Sequence, residues 1–523
     1  LGKDPAAALD TNNFVFHDRE GVVTRSGTQQ VSKDVGGFGL FSYTYVNSSG
    51  SLTNETLTVD KNLHKILSGS MTIDYSGSSS NSYVTVYSDG STIYLDLYDS
   101  GTRVLNQDLG LGTESSPVTL AALKTAIDAV TDFSSTITGS TSVPAAYLSR
   151  VAVDEGGLSS AVSISFKYTE QIASQSVDPF SSYLALRNDP GFENASAVNH
   201  KNCMYLAFPG SGLSLFKYDG QSVYKAGLPS AETPLFVTKS AGSVSSEVRY
   251  QATYIYTDSV GNVVESAASN ISSLVVLSSE QMVLNIPSLT KDSGYNTNAA
   301  KAVGTQSVAP VSGVVTLSVD DGVGGAQSLI AGDSAYLLNR ATGEYSTYTV
   351  SAASSNSLSL TSSETIDIND NDVISANLRI ALYRTQDGGS NFYLVNEIPN
   401  DPFRDSTNYT DNTADVSGNA LWVEPTKTQS EPPVGVNYVE NVGDNLFLAQ
   451  NNIVYYSDEG NIWGSSEVFP AADNQQTVYS TRGGKITGLS SGSKNTTTVS
   501  SNVLYVFGEE FVKGLVGDFI LDQ

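Results

Sequence analysis

The residue patterns most able to do chemistry are few, and each lacks a part its chemistry needs. Gly488-Leu-Ser-Ser-Gly492 fits G-x-S-x-G. A nucleophile elbow would put a strand before that serine, a helix after it and a histidine later in the chain. The three histidines, His17, His64 and His200, all lie upstream, and Ser-Lys-Asn-Thr-Thr-Thr follows. The motif therefore reads as a surface hairpin loop. Asp367-Ile-Asn-Asp-Asn-Asp372 offers several hard oxygens, as calcium requires. A helix-flanked calcium loop starting at Asp367 would need Gly at 372 and Glu at 378, where the chain has Asp and Leu. That run reads as a solvated turn. Gly110-Leu-Gly112 and Gly322-Val-Gly-Gly325 lack the strand, helix and lysine of a phosphate loop and read as turns.

The remaining groups give no set either. The histidines are too far apart in sequence to nominate as metal ligands. The 54 acidic residues offer many carboxylate pairs, but the separation that glycoside hydrolysis needs is three-dimensional. Cys203 is the one cysteine, which excludes a disulfide scaffold, a zinc–cysteine site and an iron–sulfur cluster within one chain. Beside an apolar strand it reads as a small buried hydrophobe. No catalytic, cofactor-binding or metal residue is nominated.

The elements behind these patterns are mainly β. The 523 residues suggest two to four folding units. Tyr (28), Phe (18) and Gly (45) describe a strand-rich chain with many tight turns. The net charge of −27 argues against a protein that grips nucleic acid. The longest apolar runs, such as Ser273-Leu-Val-Val-Leu, are far below the ~18–20 residues of a membrane span. Asn-x-Ser/Thr triplets are expected by chance in a chain so rich in these residues.

Residues 1–49 carry a hairpin around Phe14 and Val23 and a strand at 40–46. Residues 50–180 read as an inserted α+β unit. Tyr83-Val-Thr-Val-Tyr87, Asp89-Gly90 and Thr92 to Tyr98 form a hairpin. Thr119 caps a helix whose Leu120, Leu123, Ile127 and Val130 share a face. Residues 181–299 give strands at Met204 to Phe208, Leu213 to Tyr218 and Val223-Tyr224, with a turn at Asp219-Gly220. Arg249 to Thr257, the Asp258 to Asn262 turn and Val263-Val264 resemble fibronectin-like or Ig-like strands. Residues 300–376 read as a small β-barrel-like insertion. Residues 377–523 return to strands, interrupted by a linker-like stretch at Pro425–Gly435.

Acidic-Gly turns between short strands recur at Tyr87-Ser-Asp-Gly, Tyr218-Asp-Gly, Thr385-Gln-Asp-Gly-Gly and Ser457-Asp-Glu-Gly. Repeated hairpins of this kind suit propeller blades. Thr385-Gln-Asp387-Gly-Gly389-Ser-Asn-Phe392 resembles the Asp-box hairpin of sialidase-type propellers, and Ser457 to Trp463 is a shorter relative. In that family the Asp bonds its own turn and the aromatic packs into the blade. The arginine triad of a sialidase is not legible here.

Several stretches together resemble the tail nozzle (tail tubular or hub) proteins of short-tailed bacteriophages. These are Asn13 to Gly27 with its Arg-Ser-Gly end, Phe216 to Pro229 ending in Ala-Gly-Leu-Pro, and Ile380 to Val395 with Tyr-Arg-Thr. Pro433-Val-Gly, Asp444-Asn-Leu-Phe-Leu-Ala, Val454-Tyr-Tyr-Ser457 and Ile486-Thr-Gly-Leu follow in the family's order. The resemblance covers about a third of the chain. It implies a β-propeller core carrying inserted α+β and barrel-like or Ig-like domains. It also implies a structural virion protein without enzymatic activity. Subunits would form a ring, a homohexamer, below the portal and head-to-tail adaptor. Tail fibres or tailspikes and a tail needle or plug would dock on it, and genomic DNA would pass through the lumen without sequence-specific binding. A chain that stops soon after Val503-Leu-Tyr-Val-Phe-Gly is short for a whole propeller and reads as truncated or compact. The competing expectations are a sialidase-like or glycan-depolymerising phage propeller enzyme and a secreted adhesion module with Ig-like domains.

Overall fold

The computed structural model describes residues 14–17, 21–24, 39–46, 51–59, 63–89, 92–110, 115–149, 151, 161–173, 196–210, 212–320, 329–354, 356–423, 431–458, 467–470, 474–478, 484–495 and 500–516. The fold is mainly β, in several antiparallel sheets and one closed barrel. The chain divides into two compact units: residues 1–42 with 54–172, and residues 43–53 with 173–523.

In the first unit, the expected N-terminal hairpin pairs Phe14–His17 with Gly21–Thr24. A long strand, Leu63–Tyr75, pairs at its start with the end of Leu52–Val59 and along its second half with Phe133–Thr138. A separate three-stranded sheet orders Tyr83–Ser88, Ile93–Asp99 and Thr102–Gly110. Thr119 caps the helix Leu120–Asp128 by accepting the Ala122 N–H, and Leu120, Leu123 and Ile127 are buried as the apolar spacing requires. These three leucine and isoleucine side chains share one core with Met71, Leu95 and Phe166. Gly90, of the expected Asp89-Gly90 turn, lies outside the described residues. Thr92 N–H bonds the Asp89 carboxylate at the visible edge of that turn.

The second unit starts with a four-stranded meander of Ser196–His200, Cys203–Ala207, Phe216–Tyr218 and Val223–Lys225. Leu213 to Leu215, expected as strand, are buried but outside the ladder, which begins at Phe216. A two-sheet sandwich follows. One sheet orders Leu235–Val248, Val275–Pro287 and Ser406–Asp411. The other orders Val263–Glu265, Tyr250–Thr257, Leu378–Thr385 and Phe392–Pro399. Between them lie Val248, Tyr250, Leu284, Ile286, Ile380 and Leu382. The hairpin of the 250s, expected to be fibronectin-like or Ig-like, supplies two of the four strands of one sheet of this sandwich.

The barrel-like segment closes. Its six strands run in the order Ala299–Ala302, Val314–Asp320, Ser357–Thr361, Tyr345–Ala353, Ser334–Leu338 and Val373–Ala376, the last pairing with the first. Alternating residues such as Val315, Leu317 and Val319 fill its interior. It leaves and rejoins the sandwich between strands Val275–Pro287 and Leu378–Thr385.

Two more meanders end the chain. One orders Tyr438–Val442, Asn445–Gln450, Ile453–Tyr456 and Gln475–Thr477; the other orders Ile486–Asn495, Ser500–Gly508 and Val512–Val516. The first and second meanders share a core that includes Tyr205, Leu215, Leu446 and Phe469. The second and third share one that includes Phe447, Val454, Leu504 and Val506.

Candidate functional site

Lys217 sits on the short strand Phe216–Tyr218, between two buried aromatics, and is itself wholly buried. An ammonium in that position must be neutralised on the spot. Its Nζ lies 2.7 Å from Asp258 Oδ2 and also bonds Glu467 Oε1. Tyr205 Oη donates to the same Glu467 oxygen at 3.0 Å, and the Gly227 N–H donates to Glu467 Oε2 at 2.7 Å. Asp258 also accepts the Val260 and Asn262 N–H groups, the Asn262 amide and the Cys203 thiol. Beside it, buried Asp219 accepts from the Gln221, Ser222 and Ser259 N–H groups and from Tyr224 Oη.

The electrostatics follow from this bonding. Burial alone would lower the Lys217 pKa, but the Glu467 carboxylate leads the neighbours that outweigh it and hold the ammonium well above its ordinary range. Burial pushes the Cys203 thiol and the Tyr205 and Tyr224 phenols up, so all three stay protonated at neutral pH. A protonated, enclosed thiol is a poor nucleophile. The cluster instead ties three pieces of backbone together: the first meander through Lys217, the sandwich turn through Asp258, and the segment before Pro470 through Glu467.

Two further clamps use the same chemistry. Arg384 and Asp411, both fully buried, pair at 2.6 Å. Tyr250 Oη donates to that carboxylate at 2.8 Å, and Arg384 Nη2 donates to the Thr413 carbonyl. Arg340 makes a two-pronged pair with Asp401, each contact 2.7 Å, which fastens the barrel to the sandwich.

The Asp367 to Asp372 run is only in part the expected solvated turn: Asp367 and Ile368 belong to strand Ile366–Ile368, paired with Gln306–Val308, Asp372 is buried, and Asn369–Asp372 line a cleft of about 500 Å³ with Arg340, Ala341 and Arg404. Asp370 and Asp372 spend their carboxylates locally. Asp372 accepts the Asn369 and Arg340 N–H groups and the Asn369 amide, and Asp370 accepts from Gly304 N–H and the Asn371 amide. Among the described residues no group of three or more His, Cys, Asp or Glu is placed to hold a metal ion.

Neither family models nor curated proteins match this chain.

The other sequence motifs fall as follows. The G-x-S-x-G serines are not in a loop: Gly488 to Gly492 lie inside strand Ile486–Asn495, paired along Ser500–Gly508. A Cβ at Gly492 would come within 2.8 Å of the Tyr505 ring, so this glycine serves cross-strand packing. Asp387 does not bond its own turn. It exchanges hydrogen bonds with Ser246 of the facing sheet, Ser246 Oγ donating to Asp387 Oδ1 at 3.1 Å and the Asp387 N–H donating back at 2.8 Å. Its aromatic partner Phe392 is buried with Ile255, Ala381 and Tyr383 in a separate cluster, on the face of that sheet opposite the sandwich core. The shorter relative at Ser457 runs out of the described residues after Asp458, as do Gly322 to Gly325. His17, His64 and His200 stand on three different strands. Cys203 is buried as expected. No described helix is long and apolar enough to cross a membrane.

Lys217, Asp258 and Glu467 were not singled out by sequence. The available signal was a lysine between Phe216 and Tyr218 in a strand whose other side chains must all be buried.

Proposed function

We propose that this chain is a structural, non-enzymatic subunit of a short-tailed phage tail nozzle, built on propeller-type blades and assembled as a ring around the path of the genome. The observation that carries the reading is how the resembling stretches come together. Phe216 to Pro229 supplies Lys217 and Gly227 to the buried cluster. The Pro433-Val-Gly435 stretch closes on the same meander, Gly435 N–H bonding the Leu213 carbonyl at 2.8 Å. Strand Asn445–Gln450 then packs on it through Leu446 and Leu448. Three antiparallel meanders stacked face to face through two apolar layers are the packing that blades use.

The charge supports a conduit. A wall drawn from a chain of net charge −27 repels duplex phosphates, so DNA slides past it. A ring of identical subunits needs two complementary surfaces per chain, and the adaptor, fibres or tailspikes and needle would take others.

The test is electron cryo-microscopy of the assembled particle, with a glycan-release assay on the purified chain. We expect a closed ring with acidic side chains facing the bore and no glycan hydrolysis. A bore lined by lysine and arginine, or release of reducing sugar, would overturn the proposal.

A further inference from the structure

The sheet Tyr83–Ser88, Ile93–Asp99, Thr102–Gly110 has two unlike faces. Its inner face carries Val84, Val86, Leu95 and Leu97 into the core. Its outer face carries four tyrosines. Tyr83 opposes Tyr98 and Tyr87 opposes Tyr94, as stacked pairs with ring centroids 4.3 Å and 5.6 Å apart. Between the pairs lies Asp96, only 1% exposed, whose carboxylate accepts the Asn106 amide at 2.6 Å and Tyr98 Oη at 3.3 Å. Arg103 stands 3.5 Å from the same carboxylate.

Tyr94 and Tyr98 each stack on a ring of the first strand, so their free faces turn toward the third. There they meet exposed Arg103, Asn106 and Asp108, which are their register partners and that of Asp96. The two rings are four residues apart on one strand, about 14 Å at ~3.4 Å per residue. Aromatic faces alternating with carboxylate, amide and guanidinium groups match a sugar chain, whose pyranose rings offer an apolar C–H face and a rim of hydroxyls. Stacked tyrosines also serve as platforms for nucleic-acid bases, but those platforms run along a positively charged groove. Here the single cation already lies against Asp96, and Asp108 is exposed.

We propose that the outer face of this sheet binds a neutral oligosaccharide, with Tyr94 and Tyr98 as stacking surfaces and Asn106 and Asp108 as hydroxyl partners. The span of about 14 Å fits a chain of several sugars better than a single one. This assignment is independent of the ring reading above and concerns binding, with no bond broken.

The experiment probes the full chain with an array of neutral, sulfated and carboxylated oligosaccharides of one to six sugars, with single-stranded oligo(dT) alongside. We expect neutral chains of three or more sugars to bind, monosaccharides to bind at least tenfold more weakly, and oligo(dT) not to bind. Tyr94→Ala should weaken binding at least tenfold at an unchanged melting temperature, while Tyr94→Trp should retain it. If Tyr94→Ala fails to fold, Asp108→Ala and Tyr94→Trp carry the comparison. The proposal is overturned if no neutral glycan binds, if Tyr94→Ala or Asp108→Ala binds like the parent, if oligo(dT) competes, or if Tyr94→Ala only dissolves a self-complex.

Discussion

Lys217 holds Asp258 at 2.7 Å with both side chains wholly out of water, and the same ammonium bonds Glu467, 250 residues further along the chain. One cation thus joins a meander strand, a sandwich turn and a distant C-terminal segment. Lys217→Met keeps the stem's packing and removes the charge, leaving two carboxylates facing each other in a buried site. Breaking a buried pair in this way costs about 3–5 kcal/mol. We expect a fall of that size in urea unfolding free energy. Combining Lys217→Met with Asp258→Asn and Glu467→Gln should recover most of it, because the unpaired charges go together. A single variant as stable as the parent would show that the cluster is hydrated.

Gly227 is the glycine of the Ala-Gly-Leu-Pro stretch, and its backbone is at φ +80°. An added Cβ would lie 2.5 Å from Pro432 Cδ, and its N–H is already committed to Glu467. Gly227→Ala is therefore expected to cost more than about 1 kcal/mol, since the new side chain is both strained and obstructed. The check is differential scanning calorimetry against Gly418→Ala, where a Cβ meets nothing within 4 Å. Equal melting temperatures for the two variants would remove Gly227 from the account.

Local patterns made much of the fold legible. Thr119 and the 120/123/127 spacing marked the helix, and alternation marked the hairpins. The short strands of the 300s closed into a barrel because their apolar residues alternate. What stayed hidden was long-range. Nothing near Asp387 indicates that its carboxylate reaches Ser246, 141 residues earlier. Tyr83, Tyr87, Tyr94 and Tyr98 were visible only as strand residues, because their common face depends on register. Gly488 to Gly492 read as a loop because glycine and serine favour turns, whereas pairing along nearly the whole of Ser500–Gly508 holds them extended.

Arg340 should govern how the barrel sits without governing whether it folds. Its guanidinium grips Asp401 and lies over the Phe403 ring, while the barrel interior of Val315, Leu317, Leu358 and Leu360 is filled independently. Arg340→Met removes the grip and leaves the buried Asp401 carboxylate with one hydrogen bond, from the Phe403 N–H. Hydrogen exchange should accelerate at 401–407, where Asp401 and Phe403 N–H groups are now bonded, and stay slow in strands 314–320 and 357–361. Loss of protection in those strands would mean that barrel and clamp fold as one.

Glu265 gives a pH dependence with a definite sign. Burial pushes its carboxyl above the ordinary 4.5, against the opposing pull of hydrogen bonds from Thr253 and Tyr383. The folded chain therefore holds this proton more tightly than the unfolded chain does. Between 4.5 and the raised folded value the native state carries more bound protons, so native stability falls as pH rises through that window. Above the window the penalty is fully present; below pH 4.5 it is absent. Glu265→Gln keeps an oxygen to accept both hydroxyls and never ionises. It should therefore be more stable than the parent at pH 7, with the advantage shrinking to nothing on acidification below 4.5. Urea midpoints for both proteins from pH 4 to pH 8 measure the difference curve. A flat difference, or an advantage that grows toward acid, would mean that the folded state welcomes the charge at Glu265.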